Sequence, residues 1–324
     1  MILVTGGTGF VGQALVRRLS EVGYAVRILV RPSAESPSLP RGVPVHAAVT
    51  TLDDRRGLLA ALKDVDTVFH LAGAEWSGIY ADLARTDIEG TRSVVEAAKE
   101  AGVRRIFYLS HLGADRASAF PVLKVKGIAE EHVRRSGLDF TIVRSSILFG
   151  PGDAFTTGLA WLLHVNPFAF LLPNEGETLI QPLSVEDLAT LLAWALEDEN
   201  TRNRTYEVGG GEYVSLRQAV SIVMDALGRR RPFVNVSLPY LRALTAFLEN
   251  LFPRLPVSAY WLDYFAVNRT CPLGTLPQQF DLMPQRFSVP NLQYLREVRW
   301  GRFVWHTLGR RRGVTAERPK ARGF

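Results

Sequence analysis

Three glycines and a handful of proton-bearing side chains are the residues with chemistry to offer. Gly6, Gly9 and Gly12 stand at G-x-x-G-x-x-G spacing. Ile2 to Val4 before them form a short apolar run, and Val11, Leu15, Val16 and Leu19 after them recur at helical period. Strand, tight turn and helix in that order make an anion cradle. Gly6 lets the chain leave the strand sharply, Gly9 lets backbone N–H groups approach a pyrophosphate, and Gly12 lets the helix pack close to the sheet. The anion then sits at the positive end of the helix. A dinucleotide is the partner this predicts.

Cofactor choice turns on the end of the second strand. An acidic residue about twenty positions after the glycines would hold a ribose 2′-hydroxyl and favour NAD. That position carries Arg31, with Arg27 on the same strand. A 2′-phosphate would meet a cation there, so NADP(H) is favoured and NAD stays open.

Proton chemistry has few candidates. The chain has 33 arginines and only five lysines, Lys63, Lys99, Lys124, Lys126 and Lys320. The Lys124–Lys126 pair therefore stands out, since arginine rarely replaces a lysine needed for proton transfer. Ser110 and His111 close a predicted strand. The six histidines form no ligand-spaced group with Cys or carboxylates, so no metal is expected. No G-x-S-x-G elbow is present, which excludes the usual serine hydrolase. Cys271 is the single cysteine and reads as filler; it permits no intramolecular disulfide and suits a reducing compartment.

The elements that must position these groups alternate through the first half. Strands are predicted at 25–30, 43–49, 66–71, 105–110 and 139–144, with helices at 55–62, 87–101 and 122–136. Strands separated by helices imply right-handed crossovers and an α/β fold with a Rossmann-like, doubly wound parallel sheet. Ligands of such sheets bind at the carboxyl ends of the strands. Further on, Val185 to Leu196 reads as a helix capped by Ser184 with Asp187 three residues later. Thr205 to Val208 is one more strand, and Ser215 to Leu227 a helix closed by Gly228. Tyr240 to Phe252 is a helix with a broad apolar face. The expected division is a nucleotide-binding domain over 1–150 plus about 178–210, a smaller and mostly helical lobe over 151–177 and 211–295, and a basic tail over 296–324.

Charge and hydropathy narrow the partners. The chain carries +6 overall, of which the last 29 residues hold +7, nine Arg or Lys against two Glu. The body is near neutral, so no nucleic-acid-binding surface is expected. The tail and the 240–270 face would suit an anionic membrane surface or a protein of a membrane complex. Ala154 to Asn174 holds no formal charge over 21 positions but contains Gly158, His164, Asn166 and Pro167, and reads as a buried or interfacial segment rather than a membrane span. Met1 leads straight into the first strand, with no signal peptide visible. A cytoplasmic location is expected, with a peripheral place on the inner face of the membrane as the further option.

The spaced motifs together resemble the extended or atypical short-chain dehydrogenase/reductase superfamily. Thr5-Gly-Gly-Thr-Gly-Phe-Val-Gly12, His70-Leu-Ala-Gly73, Asp87-Ile-Glu-Gly-Thr91, Phe149-Gly-Pro-Gly152 and Gln181-Pro-Leu-Ser-Val-Glu-Asp187 carry the likeness over about residues 1–230. Gly102 to Asp115, and Lys126 through Glu130-Glu131 to Asp139, resemble the branch holding the nucleotide-binding accessory subunit of respiratory complex I and its bacterial epimerase/dehydratase-like relatives. The resemblance implies cofactor contacts at Gly6, Thr8, Gly9, Phe10, Val11, Gly12, Leu71, Ala72, Gly73 and Lys126, beside Arg31. It also implies a tightly held nucleotide, uncertain catalysis, and for some bacterial relatives a link to quinone metabolism. Val49 sits where relatives often carry an aspartate near the adenine.

Chemistry of the superfamily's usual kind needs Tyr-x-x-x-Lys: a tyrosine moves the proton while a lysine lowers its pKa and holds the ribose. The spacing from Lys126 to Ser136 suggests Lys126 as that lysine, and four residues earlier stands Val122. Using Lys124 puts Phe120 there. Either register lacks the acid. Three readings follow: Lys126 is itself the acid–base group of an NADPH-dependent oxidoreductase on an apolar, quinone- or isoprenoid-like substrate; another group such as His111 or Tyr80 substitutes, with Ser110 beside it; or the nucleotide is bound in an accessory or assembly protein that catalyses nothing.

Overall fold

The computed structural model describes residues 1–33, 39–40, 42–75, 81–252 and 254–308. Its centre is β1 (Ile2–Thr5), α1 (Phe10–Glu21), β2 (Val26–Val30), β3 (His46–Val49), α2 (Arg55–Ala61), β4 (Thr67–His70), α3 (Gly90–Glu100), β5 (Arg105–His111), α4 (Pro121–Arg134) and β6 (Asp139–Ser145). The chain then runs through β7 (Leu148–Phe149), α5 (Ala154–Val165), β8 (Phe170–Pro173), β9 (Leu179–Ile180), β10 (Leu183–Ser184), α6 (Val185–Glu197) and β11 (Arg204–Val208). It finishes with β12 (Val214–Ser215), α7 (Leu216–Leu227), β13 (Phe233–Val236), α8 (Leu238–Leu251), α9 (Ala259–Asp263), α10 (Thr275–Phe280), α11 (Tyr294–Glu297) and α12 (Trp300–Leu308).

Seven strands make one sheet in the order β11-β6-β5-β4-β1-β2-β3, every pair parallel. The doubly wound sheet read from the alternation is therefore observed. β1, β4 and most of β5 are buried on both faces, which is why they read as unbroken apolar runs rather than alternating ones. α1 and α6 cover one face through Leu15, Leu19, Leu188 and Leu192. α2, α3 and α4 cover the other through Leu58, Val94, Ala98 and Val133. The strand order reverses between β1 and β4, and the crevice at their carboxyl ends is where ligands of such sheets lie.

A third core, built on Phe155, Leu159, Trp161, Val220, Phe265 and Trp300, belongs to the C-terminal lobe. The uncharged stretch at 154–174 forms α5 and β8 within it, and no helix among the described residues is long and apolar enough to cross a membrane.

Some local readings change. The helix expected from Asp87 begins three residues earlier as a π-helical turn, Ala84–Glu89. Ser184 caps α6 through the amide of Glu186, but Asp187 does not reach back to it; its carboxylate accepts from the amide of Gln285 at 2.7 Å. The capping box lies instead at Ser215 and Gln218, with Gly228 left-handed at the far end of α7 (φ 63°). α12 packs on α5, with the Trp161 indole donating to Thr307 Oγ1 at 2.8 Å and His164 stacked on Trp300. The remaining basic residues from 310 onward, like Tyr80, lie outside the described residues.

Candidate functional site

The glycine turn has the shape its spacing requires. Gly6 is left-handed (φ 71°) and abuts the Leu71–Ala72 peptide, where a Cβ would come within 2.8 Å of Ala72 N. A Cβ on Gly12 would press into the carbonyl of Gly6. Gly9 is exposed and stands at the N-cap of α1 with no side-chain cap. The first-turn amides of Phe10, Val11 and Gly12 are thus not satisfied by a capping side chain. A diphosphate fits this cradle, both sterically and by the helix's field. Thr8 lies in the same turn, its carbonyl accepting from Gln13 Nε2 at 3.0 Å. Leu71, Ala72 and Gly73 follow β4 directly across from it.

The rim on the β2 side carries Arg31, exposed just past the end of β2, and Val49, exposed at the end of the edge strand β3 and in register with Val30. Arg27 does not join them. Its guanidinium donates to the carbonyls of Ala61 and Lys63, at 2.6 and 2.8 Å, and so ties β2 to the end of α2.

His70 is a framework residue. Thr91 Oγ1 donates to the carbonyl of Asp87 (2.6 Å), so its oxygen accepts from His70 Nε2–H at 2.9 Å. Nδ1 is then the acceptor for Thr5 Oγ1, at 2.6 Å. Burial, reinforced by the charge on Lys126, pushes its pKa down to about 3, so the ring is neutral and pins β1, β4 and α3 together.

Lys126, not Lys124, reaches the crevice; Lys124 is exposed. α4 lies close against the 115–116 turn because Gly127 has no Cβ to meet the Asp115 backbone. That approach carries the Lys126 ammonium to the end of the sheet, where its side chain is only 5% exposed. It pairs with Asp87 Oδ1 at 2.9 Å and lies 3.5 Å from Glu75 Oε2. The π-helical turn places Asp87 here, and its other oxygen accepts from the amide of Ala74 at 3.1 Å. Gly73 fits between them: a Cβ would lie 3.1 Å from both Asp87 Oδ1 and Lys126 Nζ. Burial pulls the Lys126 pKa down, but Asp87 first and then Tyr108 and Glu75 outweigh it, so the group stays well above its ordinary value. Val122, one turn earlier, is buried against an apolar cluster with Ala74, Leu83 and Val125.

Glu75 links the lysine to His111. Its Oε2 lies 2.9 Å from His111 Nε2. Burial pushes its carboxyl up, but His111 and Lys126 together win and hold it below the usual carboxylate range. The same His111 nitrogen is 3.0 Å from the hydroxyl of Tyr264, which arrives from the C-terminal lobe just past α9. Burial, then the charge of Glu75, raises the Tyr264 pKa well above its ordinary value, so the phenol keeps its proton. Arg269 stacks on its ring, 4.6 Å from the centroid. Ser110 Oγ and His111 Nδ1 are buried and without a partner among the described residues.

Lys126 and His111 are thus brought together through Glu75, while Ser110, one residue before the end of β5, has a hydroxyl without a partner among the described residues. Sequence reasoning missed Glu75 and Tyr264. Asp87 did carry a signal, as the first residue of a quoted motif, but no role was read from it. Cys271 is buried with its pKa pushed up to about 11 by burial, and behaves as packing.

Fold and cradle together define a dinucleotide-binding α/β protein. A family model described as NAD(P)H-binding matches residues 6–159. A putative dihydroflavonol 4-reductase of Synechocystis is 31% identical over 246 residues, 68% of either chain. The mitochondrial NADH dehydrogenase [ubiquinone] 1 alpha subcomplex subunit 9 of Arabidopsis thaliana is 26% identical over 92% of this chain and 78% of its own. The NADPH complex of a quinone oxidoreductase from Escherichia coli has the same fold, with a TM-score of 0.74 at 21% identity over 91% of this chain and 100% of that one. The chain belongs to the atypical short-chain dehydrogenase/reductase superfamily, with complex I accessory subunits among its relatives, and it binds NAD(P).

Proposed function

We propose that this chain is a nucleotide-binding accessory or assembly protein of a membrane-associated, quinone-linked system, with NADP(H) as the favoured ligand. The observation that carries this is the state of Lys126. Between Asp87 and Glu75 it is a buried ammonium held in ion pairs, with its pKa raised by those carboxylates. Even at the ordinary value of 10.5 about one lysine in 3,000 is neutral at pH 7, and here the fraction is smaller. General acids work best with a pKa near the operating pH, so this ammonium is suited to holding ribose hydroxyls rather than to moving protons. Val122 supplies none in its place.

In this reading residues 1–150 and about 178–210 bind the nucleotide, and the lobe at 151–177 and 211–295 faces the partner. The diphosphate lies on Gly9 to Gly12, Leu71 to Gly73 flank it, and Arg31 meets the 2′-phosphate. The bound nucleotide, when redox-active, would supply a hydride. The accessory role is supported by the relative that spans 92% of this chain, named as an NADH dehydrogenase subunit. A reductase reading is favoured by one observation: the Tyr264 hydroxyl and the Glu75 carboxylate converge on one nitrogen of His111, and Glu75 also lies 3.5 Å from the lysine. In that reading Tyr264 is the substitute acid and Ser110 a second donor.

Release of bound nucleotide from the purified chain, beside absorbance measurements on the bound form, tests the choice. NADP(H) should be recovered, and the nicotinamide absorbance of bound NADPH should stay constant when quinones are added, with no hydroquinone formed. Oxidation of the NADPH with matching hydroquinone formation would overturn the accessory reading, and tighter binding of NADH than of NADPH would overturn the role given to Arg31.

A further inference from the structure

The uncharged stretch at 154–174 and the helix after Ser237 meet around a cavity of about 110 Å3 in the C-terminal lobe. Its walls include Leu159 and Leu162 of α5, Phe170 of β8, Leu241 and Leu248 of α8, and Phe265 beyond α9. Polar groups in the wall are few. The side-chain oxygen of Asn166 is already engaged by the amides of Phe168 and Ala169, at 3.1 and 3.3 Å. A wall of this kind stays dry, and its size approaches that of the roughly 150 Å3 apolar cavity that admits benzene.

The cavity is not closed. Leu244 lines it and is also 46% exposed, so it reaches the surface along α8. From there the outer row of the helix continues the apolar path through Tyr240, Phe247 and Leu251, all exposed. Singly exposed apolar residues are ordinary, but a contiguous row running out of a dry cavity is not. Charge lies beside the wall. Arg254, exposed and next in the chain to the wall residue Leu255, donates through Nη1 to His306 Nε2 at 3.3 Å. Arg302 precedes His306 by one turn of α12 and is exposed. Among the described residues neither Arg254 nor Arg302 pairs with a carboxylate, and a phosphate diester would supply the anion.

We propose that this cavity and the α8 surface bind one acyl chain of an anionic phospholipid, with the chain running from the outer row of α8 into the cavity and the phosphate against Arg254 and Arg302. A neutral isoprenoid would fill the same walls but leave those arginines without an anion. The site is separate from the nucleotide crevice. Trp261, Leu262 and Phe265 face the cavity, while Tyr264 between them turns the other way, to His111. The proposal rests on the membrane-associated reading above and gives it a specific ligand.

Trp161 and Trp261 stand in the wall and report on it by their fluorescence. The full, delipidated chain should show a saturable change with monomeric dioctanoylphosphatidylglycerol, and bind the matching phosphatidylcholine about ten-fold more weakly, the ratio a charge-assisted hydrogen bond supplies. Leu244→Glu at the exposed mouth and Leu162→Phe in the wall should each abolish that change while NADPH binding persists. Leu244→Glu keeps the test open should Leu162→Phe fail to fold. Arg254→Glu should remove the preference for the anionic lipid. No saturable change, equal binding of the two lipids, undiminished binding by Leu244→Glu, or displacement of the lipid by a short-chain prenylquinone would overturn the proposal. Persistent NADPH binding beside lost lipid binding, or the reverse, shows which of the two sites has failed.

Discussion

At the scale of single residues, the lysine and its two carboxylates set the character of the site. A buried ion pair contributes little net stability when made, yet breaking it by removing one partner is costly because the other charge stays buried. Lys126→Met should therefore lower the unfolding free energy by about 3–5 kcal/mol, since Asp87 and Glu75 lose their cation. Adding Asp87→Asn and Glu75→Gln to Lys126→Met should restore much of the loss. Denaturant unfolding of the natural chain, Lys126→Met and the triple variant checks this, and a Lys126→Met loss that the added changes leave untouched would show that Lys126 acts through packing alone. Lys126 was legible in the sequence because lysine is rare here and a motif fixed its spacing. Glu75 was not, since a lone glutamate after an Ala-Gly-Ala turn carries no pattern.

At the scale of elements, the β1–α1 turn separates binding from stability. A Cβ at Gly9 meets only the Gly6 carbonyl, at 3.2 Å, in an exposed position, whereas one at Gly12 strikes the Gly6 and Gly7 backbone in a buried one. Gly9→Ala should weaken nucleotide affinity about ten-fold or more, by displacing the diphosphate, with a change in stability of about 1 kcal/mol or less. Gly12→Ala should lose both, with about 1–3 kcal/mol of overpacking. Calorimetric titration with NADPH beside thermal unfolding distinguishes them; equal behaviour of the two variants would contradict the cradle geometry. The helix around Asp87 shows where periodicity stops short. Apolar spacing located its buried face, but the π-helical turn that delivers the carboxylate to Lys126 leaves no mark in that pattern.

At the scale of the whole molecule, stability should depend on pH through His70. Its folded pKa is depressed from 6.5 to about 3 by burial and then by Lys126. A depressed value means that the unfolded chain takes up the proton first. The stabilisation is therefore complete above pH 6.5 and is lost as pH falls from there through the folded value. Linkage puts the loss between pH 7 and pH 5 at about 2 kcal/mol, a window above the ordinary range of carboxylates. Urea unfolding across that window should show the slope in the natural chain and a flatter one in His70→Asn. Parallel slopes would place the proton uptake elsewhere.

The sequence by itself determined the parallel sheet, the dinucleotide cradle, the absence of a tyrosine four residues before Lys126, and the helix cap at Ser215. All of these rest on periodicity or short spacing, which neighbouring residues settle among themselves. Only the tertiary structure decided which lysine enters the crevice, that Glu75 and Asp87 hold it charged, and that Tyr264 meets His111 across 153 positions of chain. It also turned Arg27 away from the rim and folded Trp300–Leu308 onto the lobe. Such contacts join segments far apart in sequence, and their partners are chosen by how sheet and lobe pack, so no local pattern announces them.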